Sequence, residues 1–172
     1  MLRTLFLICI SILVSAAPLH AADDVYQTPE DFVAESFAKA HSAKTLNMTP
    51  ELLKKAKKIM GSHYTLGDLK YWTDGQKTVW ILEDIGKYKP ITTGYAVSGD
   101  GTIERVKVLI YRESHGWEVK HKFFTRQFKG AALKREKKLD KRIDGIAGAT
   151  LSVNALKRMG ALAVMLHENR GS

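Results

Sequence analysis

The sequence predicts an α+β fold in which a mostly antiparallel sheet is flanked by helices. Four strand-like segments form two pairs, and each pair is joined by a short turn containing Asp and Gly, as in β-hairpins. Segments with helical periodicity precede and follow these strands. With 172 residues, of which 45% are hydrophobic and 26% charged, the chain is long enough to bury a core.

Residues 1–21 predict a cleaved signal peptide for export across a bacterial-type inner membrane. Arg3 provides a positive start, residues 5–14 are mostly apolar, and the small residues that follow offer cleavage sites after Ala21 or Ala22. The apolar run is shorter than the roughly 20 residues that a spanning helix needs. The predicted location is therefore the periplasm, and an uncleaved N-terminal anchor is the alternative.

Residues 22–66 predict an N-terminal helical segment. The run Thr28-Pro29-Glu30-Asp31 combines an N-cap residue, a proline at the first helical position and an acidic first turn, which predicts a helix to about Ala40. The run Thr49-Pro50-Glu51 predicts a second helix that ends at Gly61.

Residues 67–172 predict the main domain. Its first hairpin comprises residues 69–73 and 78–84 around Asp74-Gly75, and its second comprises residues 91–97 and 102–111 around residues 98–101. Helical periodicity returns over residues 152–168. The strands should pair into one sheet with the helices packed against it.

The cysteine content limits the chemistry that the mature chain can perform. The only cysteine, Cys9, lies in the predicted signal peptide. The mature chain therefore has no disulfide, thiolate metal site, cysteine nucleophile or c-type haem attachment, and no metal site is predicted. A G-x-S-x-G elbow is absent as well, which argues against a hydrolase. Redox chemistry in this chain would need a cofactor.

The chain carries a net charge of +9. Basic residues in several segments predict attraction to anionic partners or to a membrane surface. Nucleic acid is not an expected partner, because an exported chain without a recognition motif lacks the features of a nucleic-acid-binding protein.

Residues 144–152 form the segment with the clearest chemical content. Gly148 and Ala149 leave room for a bulky group to approach the backbone. Thr150 or Ser152 is predicted to cap the following helix, where free N–H groups and the helix dipole favour an anion. From these residues alone, an anion site and a simple capped helix both remain open.

The pattern Asp-x-x-x-Gly-Ala-Thr-x-Ser resembles the flavinylation motif of the FMN-binding domain family. That family includes flavin-carrying components of the sodium-translocating NADH:quinone reductase and of Rnf complexes. Its motif threonine receives FMN through a phosphoester bond, delivered from FAD by a flavin transferase with release of AMP. The resemblance implies that the acceptor is Thr150 and that the remaining motif residues are Asp144, Gly148, Ala149, Leu151 and Ser152. Ala147 departs from the serine or threonine found in many members.

A second block resembles the segment that precedes the motif in this family. It consists of Glu113, Ser114, His115, Gly116 and Trp117, followed by a Gln-Phe-Lys-Gly run that contains Lys129. The resemblance implies that these residues lie beside the flavin, and Lys129 or the helix N-terminus is expected to meet its phosphate. Candidate stacking partners for the flavin ring are Trp117, Phe124, Phe128 and Tyr95, and a place in the hydrophobic core is the alternative for each.

The resemblance implies a periplasmic flavoprotein that carries one covalent FMN and transfers electrons. Its expected partners are a flavin transferase and a membrane or periplasmic electron donor and acceptor. Asp144 is expected either to be read by the transferase or to shape the loop. The alternative function is a non-enzymatic flavin-binding or sensory module that holds FMN noncovalently.

Overall fold

A computed structural model describes residues 23–62, 64–135 and 137–171 of the chain. Within these residues, six strands form one antiparallel sheet in the spatial order β1-β6-β5-β4-β3-β2. Their bounds are β1 Asp24–Val25, β2 Ser42–Leu46, β3 Leu69–Thr73, β4 Thr78–Ile85, β5 Pro90–Val97 and β6 Ile103–Tyr111. A separate small hairpin pairs β7, Leu133–Lys134, with β8, Lys138–Leu139.

Four α-helices accompany the sheet in the described part of the chain. They are α1 Pro29–Ser36, α2 Pro50–Met60, the short α3 Lys122–Thr125 and the long C-terminal α4 Thr150–Glu168. Short 3-10 helices at Trp117–Lys120 and Arg126–Phe128 flank α3. The predicted α+β class is thus confirmed.

The largest core cluster joins the sheet to α4 and α2. Trp80 and Tyr95 are fully buried in it, and the Tyr95 hydroxyl donates a hydrogen bond of 2.8 Å to the carbonyl of Leu156 on α4. The middle of α4 is buried on nearly every face, which explains its run of small and apolar residues. This packing fixes the start of α4 relative to β5 and β6.

Sequence patterns predicted both large hairpins and the ends of α2. Thr49 caps α2 by accepting from the Leu52 N–H, and Gly61 ends it with a φ of 110°. The segment 22–66 is not purely helical, however, because it contributes β1 and β2 to opposite edges of the sheet. Strand β2 was not predicted because it does not have a buried apolar face: among its residues, only Leu46 is buried. Helix α1 ends at Ser36, before the predicted end at Ala40, because the backbone becomes extended at Phe37.

The predicted signal peptide, residues 1–21, lies outside the described residues. Among the residues that are described, no helix is both long and apolar enough to cross a bilayer. The same residues contain no cluster of three or more His, Cys, Asp or Glu side chains suited to a metal ion.

Candidate functional site

Helix α4 begins at Thr150, without a side-chain cap. Ala149 is the N-cap residue, with φ −114° and ψ 18°, and its carbonyl accepts the first helical hydrogen bond from Val153 at 2.9 Å. The expectation that Thr150 or Ser152 caps the helix is wrong, since both already lie inside its first turn. The first backbone N–H groups of α4, at Thr150, Leu151 and Ser152, therefore lack intrahelical acceptors and can serve an anion.

The loop before α4 turns sharply at Gly148. Its φ of 81° lies in the left-handed region, which side chains rarely adopt, and no other group lies within 4 Å of where a Cβ would stand. The glycine is required by conformation, and it leaves the approach to Thr150 open.

The two hydroxyls of the motif differ in their surroundings. Ser152 is 4% exposed, and its Oγ lies 2.9 Å from the Tyr111 hydroxyl. Because Tyr111 donates its single hydrogen to the His115 carbonyl at 2.6 Å, the Ser152 hydroxyl is the donor to Tyr111. Thr150, by contrast, is exposed. Only the Thr150 hydroxyl is both accessible and free of this network.

Gly116 lets the second block approach the start of α4 closely. Its φ is 82°, and an added Cβ would lie 2.9 Å from Ser152 Oγ, 3.1 Å from the Tyr111 hydroxyl and 3.3 Å from Ala149 Cα. Both its conformation and its space therefore require glycine. The motif and the second block meet at this contact.

Glu113 organises the turn between β4 and β5. Its Oε1 accepts hydrogen bonds from three successive backbone N–H groups, those of Lys87, Tyr88 at 2.6 Å and Lys89 at 2.9 Å. Burial raises the pKa of the Glu113 carboxyl, but these three donors outweigh it and hold the pKa below its ordinary value. The carboxylate is thus charged at neutral pH and fixes the turn above the start of α4.

These elements enclose one pocket, which we name the Thr150 pocket. It has a volume of about 540 Å³ and is lined by Lys87, Tyr88, Glu113, Ser114, His115, Gly148, Ala149, Thr150, Leu151 and Ser152. This volume lies within the roughly 300–1,000 Å³ typical of small-molecule sites. The pocket combines an anion-binding helix start with exposed apolar side chains, because Tyr88 is 75% and Leu151 48% exposed.

Comparison with protein families finds a match to the FMN-binding domain over residues 86–164. This part of the chain belongs to the FMN-binding domain family. The matched region begins at Gly86, beside the turn held by Glu113, and ends within α4, so it contains every residue that lines the Thr150 pocket. No curated protein matches the chain.

The residues of the pocket fit FMN. The phosphate is an anion that the free N–H groups at the start of α4 can hold, and the flavin ring is an aromatic plane that suits the exposed rim. Lys87, whose Nζ lies 4.8 Å from the centre of the Tyr88 ring, supplies a positive charge at that rim. The domain therefore offers complementary groups to both ends of the cofactor.

Most of the residues predicted for the FMN site converge on this pocket. Those of the motif are Gly148, Ala149, Thr150, Leu151 and Ser152, and those of the second block are Glu113, Ser114 and His115. Gly116 packs directly behind them.

Three predicted site residues lie apart from the pocket lining. Asp144 is exposed, accepts from Arg142 Nε at 3.1 Å and donates its backbone N–H to Gln127. Lys129 lines another concavity with Lys120 and Arg126. Trp117 is 44% exposed and packs edge-on against His121.

The remaining candidate stacking partners are core residues. Tyr95, Phe124 and Phe128 are fully buried. Their side chains cannot present a face to a ligand in the Thr150 pocket. They instead belong to the large core cluster that also contains the buried residues of α4.

Two pocket residues, Lys87 and Tyr88, were not predicted from the sequence. They lie at the tip of the β4–β5 turn, far from the motif along the chain, and antiparallel pairing brings them to it. The sequence did contain a signal, because Tyr88 lies between Lys87 and Lys89 in a turn. An aromatic residue in an exposed turn is not expected to belong to the core, which suggests a role in binding.

Proposed function

We propose that this protein is a periplasmic electron carrier whose FMN is joined through its phosphate to the Oγ of Thr150. The observation that carries the proposal is the contrast between the two motif hydroxyls. Thr150 is exposed in the pocket of an FMN-binding domain, whereas Ser152 is buried and hydrogen-bonded to Tyr111.

Attachment of the cofactor is a phosphoryl-group transfer. The Thr150 oxygen forms a new P–O bond to the FMN phosphorus of FAD, the bond to the AMP phosphate oxygen breaks, and AMP leaves. The hydroxyl proton passes to a base on the transferring enzyme. An external enzyme is required because none of the hydrogen bonds found in the described residues activates the Thr150 hydroxyl, which is a weak nucleophile at neutral pH.

The chain's own residues then hold and shield the ester. The N–H groups of the first turn of α4 face its negative charge, and Lys87 adds a cation at the rim. Bound flavin supplies the capacity to accept and return electrons. A covalent link suits an exported carrier, since a cofactor lost outside the cytoplasm is not readily replaced.

Export and partner exchange complete the proposal. The predicted signal peptide directs the chain to the periplasm, where a flavin transferase matures it and a membrane or periplasmic donor and acceptor exchange electrons with it. Because the only cysteine lies in that signal, the flavin carries the electron chemistry of the mature chain.

Intact-mass measurement tests covalent attachment. The full chain is produced with and without a flavin transferase, and the expected result is one FMN less one water added only when the transferase is present. A flavin that is released on denaturation would instead support the noncovalent binding or sensory module. Redox titration of the purified holoprotein then tests whether the attached flavin cycles reversibly.

A further inference from the structure

Nearly all of the net charge resides in one short segment. Residues 120–142 contain ten Lys or Arg and two Asp or Glu, a net charge of +8 out of +9 for the whole chain. The rest of the chain has 17 basic and 16 acidic residues and is almost neutral. Charge concentrated in one segment produces an electrostatic potential that can steer a charged partner to that part of the surface.

The segment connects two parts of the chain that form the Thr150 pocket. It starts after the 113–117 loop and ends before the motif, both of which line or support that pocket. Its last residues are tied back to residues 127–129, because Lys141 Nζ donates to the Lys129 carbonyl at 2.6 Å and the N–H of Asp144, just beyond the segment, donates to Gln127 Oε1 at 2.8 Å. The bond at Asp144, the first residue of the motif, thus ties the charged segment to the loop that leads to Thr150.

The β7–β8 hairpin presents three of these lysines. Lys134, Lys137 and Lys138 are exposed, whereas Leu139 is buried. Leu139 packs against α4 at Gly160, since a Cβ at that position would lie 3.4 Å from the Leu139 side chain, an ordinary van der Waals distance. The buried leucine thus anchors the hairpin to α4 while the lysines face outward.

The hairpin and α4 together form a concave basic surface. The cavity encloses about 490 Å³, and its cationic lining residues, which define the basic surface, are Lys134, Lys137, Lys138, Lys141, Arg142, Lys157 and Arg158. Within the described residues, the ion pairs made by these side chains are Arg158 with Asp84 and Arg142 with Asp144. Lys157 follows Thr150 by two helical turns, about 10 Å along the axis of α4.

We propose that the basic surface docks an acidic protein that exchanges electrons with the flavin. This inference rests on the proposed function and specifies the partner's chemistry. Opposite charges accelerate encounter and orient the partner, which suits the brief complexes of electron transfer. Docking on α4 would bring the partner's redox group to the side of the helix start where Thr150 lies.

The composition of the basic surface favours a protein over a membrane. Its apolar lining residues, Leu139 and Ile143, are 8% and 4% exposed, so neither is available to insert into lipid. Membrane-surface binding combines basic residues with exposed apolar ones. A concave surface whose exposed lining side chains are mostly cationic instead matches a protruding acidic patch.

The test uses two matched triple variants of the FMN-loaded protein. K134E/K137E/K138E alters the basic surface, and K39E/K44E/K54E changes the same charge at exposed lysines elsewhere. Each reduced protein is mixed with cytochrome b5, an acidic haem protein, and haem reduction is followed by stopped flow. Cytochrome c, which is basic, serves as the probe of opposite charge.

At low ionic strength, the hairpin triple should slow cytochrome b5 reduction by about tenfold or more, with a much smaller effect of the control triple. The difference should vanish near 1 M salt, where the Debye length is about 3 Å. Reduction of cytochrome c should not be slowed. Equal slowing by both triples, or no slowing by the hairpin triple, would overturn the proposal.

Two further measurements separate the rival explanations. Loss of binding to phosphatidylserine-containing vesicles in the hairpin triple, with unchanged cytochrome b5 kinetics, would identify a membrane surface and overturn protein docking. Binding of cytochrome b5 to flavin-free protein is measured separately. If FMN is never attached, the proposed function fails, while salt-sensitive binding lost only in the hairpin triple would still support docking.

Discussion

The hydroxyl of Tyr111, at the end of β6, lies 2.9 Å from Ser152 Oγ in the first turn of α4. The same hydroxyl donates to the His115 carbonyl at 2.6 Å, so one buried side chain joins the sheet, the 113–117 loop and the helix start. Burial raises the pKa of Tyr111 above its ordinary value, which keeps the hydroxyl protonated and able to donate.

Replacing Tyr111 with Phe should destabilise the fold and loosen the pocket. The change removes the bond to His115 and leaves the Ser152 hydroxyl buried without its acceptor, a loss of about 1–3 kcal/mol. Urea denaturation measures the free energy of unfolding. Tyr88→Phe, which removes an exposed hydroxyl, is the control and should leave stability unchanged. Equal stabilities of the two variants would contradict the role given to Tyr111.

Gly116→Ala should lower the Tm more than Gly101→Ala, although both substitutions strain the backbone equally. Gly101 is the matched control, because its φ of 79° nearly equals that of Gly116 and nothing lies within 4 Å of its Cβ position. Left-handed backbone costs a non-glycine residue about 1–2 kcal/mol in both variants. Gly116→Ala adds the contact at 2.9 Å with Ser152 Oγ, so its Tm should fall further and its flavin content should drop. Identical Tm values would show that the close approach is unimportant.

Tyr88 is expected to stack on the flavin ring. It is the exposed aromatic residue of the Thr150 pocket, whereas Trp117 lies outside the pocket lining. Because a stacked phenol quenches flavin emission, Tyr88→Leu should raise the fluorescence quantum yield of the bound flavin. Trp117→Leu should leave it unchanged. The reverse pattern would restore Trp117 as the stacking partner.

Particular residues show which features could be predicted from the sequence. Asp74-Gly75 and Gly61 act through local backbone geometry, so the turn and the helix end were predictable. The motif and the second block were found because each is contiguous. Their meeting at Gly116 depends on tertiary packing, as does the arrival of Lys87 and Tyr88. The N-cap is Ala149 and not the predicted Thr150 or Ser152, and it directly follows the left-handed turn at Gly148.

Stability should fall in acid because His167 is buried in its neutral form. Thr78 Oγ1 accepts a hydrogen bond from Trp80 Nε1 at 2.8 Å and lies 2.8 Å from His167 Nδ1, which joins the imidazole to this buried network. Burial, with a smaller contribution from Arg170, lowers the pKa of His167 from 6.5 to about 4. The unfolded chain therefore binds more protons between these values, and stability decreases as the pH falls from about 6.5 to about 4.

Comparison with His167→Asn isolates this effect. The side chain is only 2% exposed, so the pH-dependent loss in the wild-type protein should reach up to about 3 kcal/mol. Urea denaturation at about pH 7 and about pH 4.5 should show a smaller loss in the variant, since its carboxylates titrate alike but position 167 no longer does. The same pH dependence in both proteins would exclude His167 as the cause.

The central claim, that FMN is esterified to Thr150, is tested most directly by tandem mass spectrometry of the peptide containing residues 144–152. After production with a flavin transferase, the wild-type peptide should carry one FMN less one water, with fragment ions placing it on Thr150. Thr150→Val should carry none, although Ser152 is still present in the peptide. An adduct on Ser152, or an unmodified wild-type peptide despite an active transferase, would contradict the account.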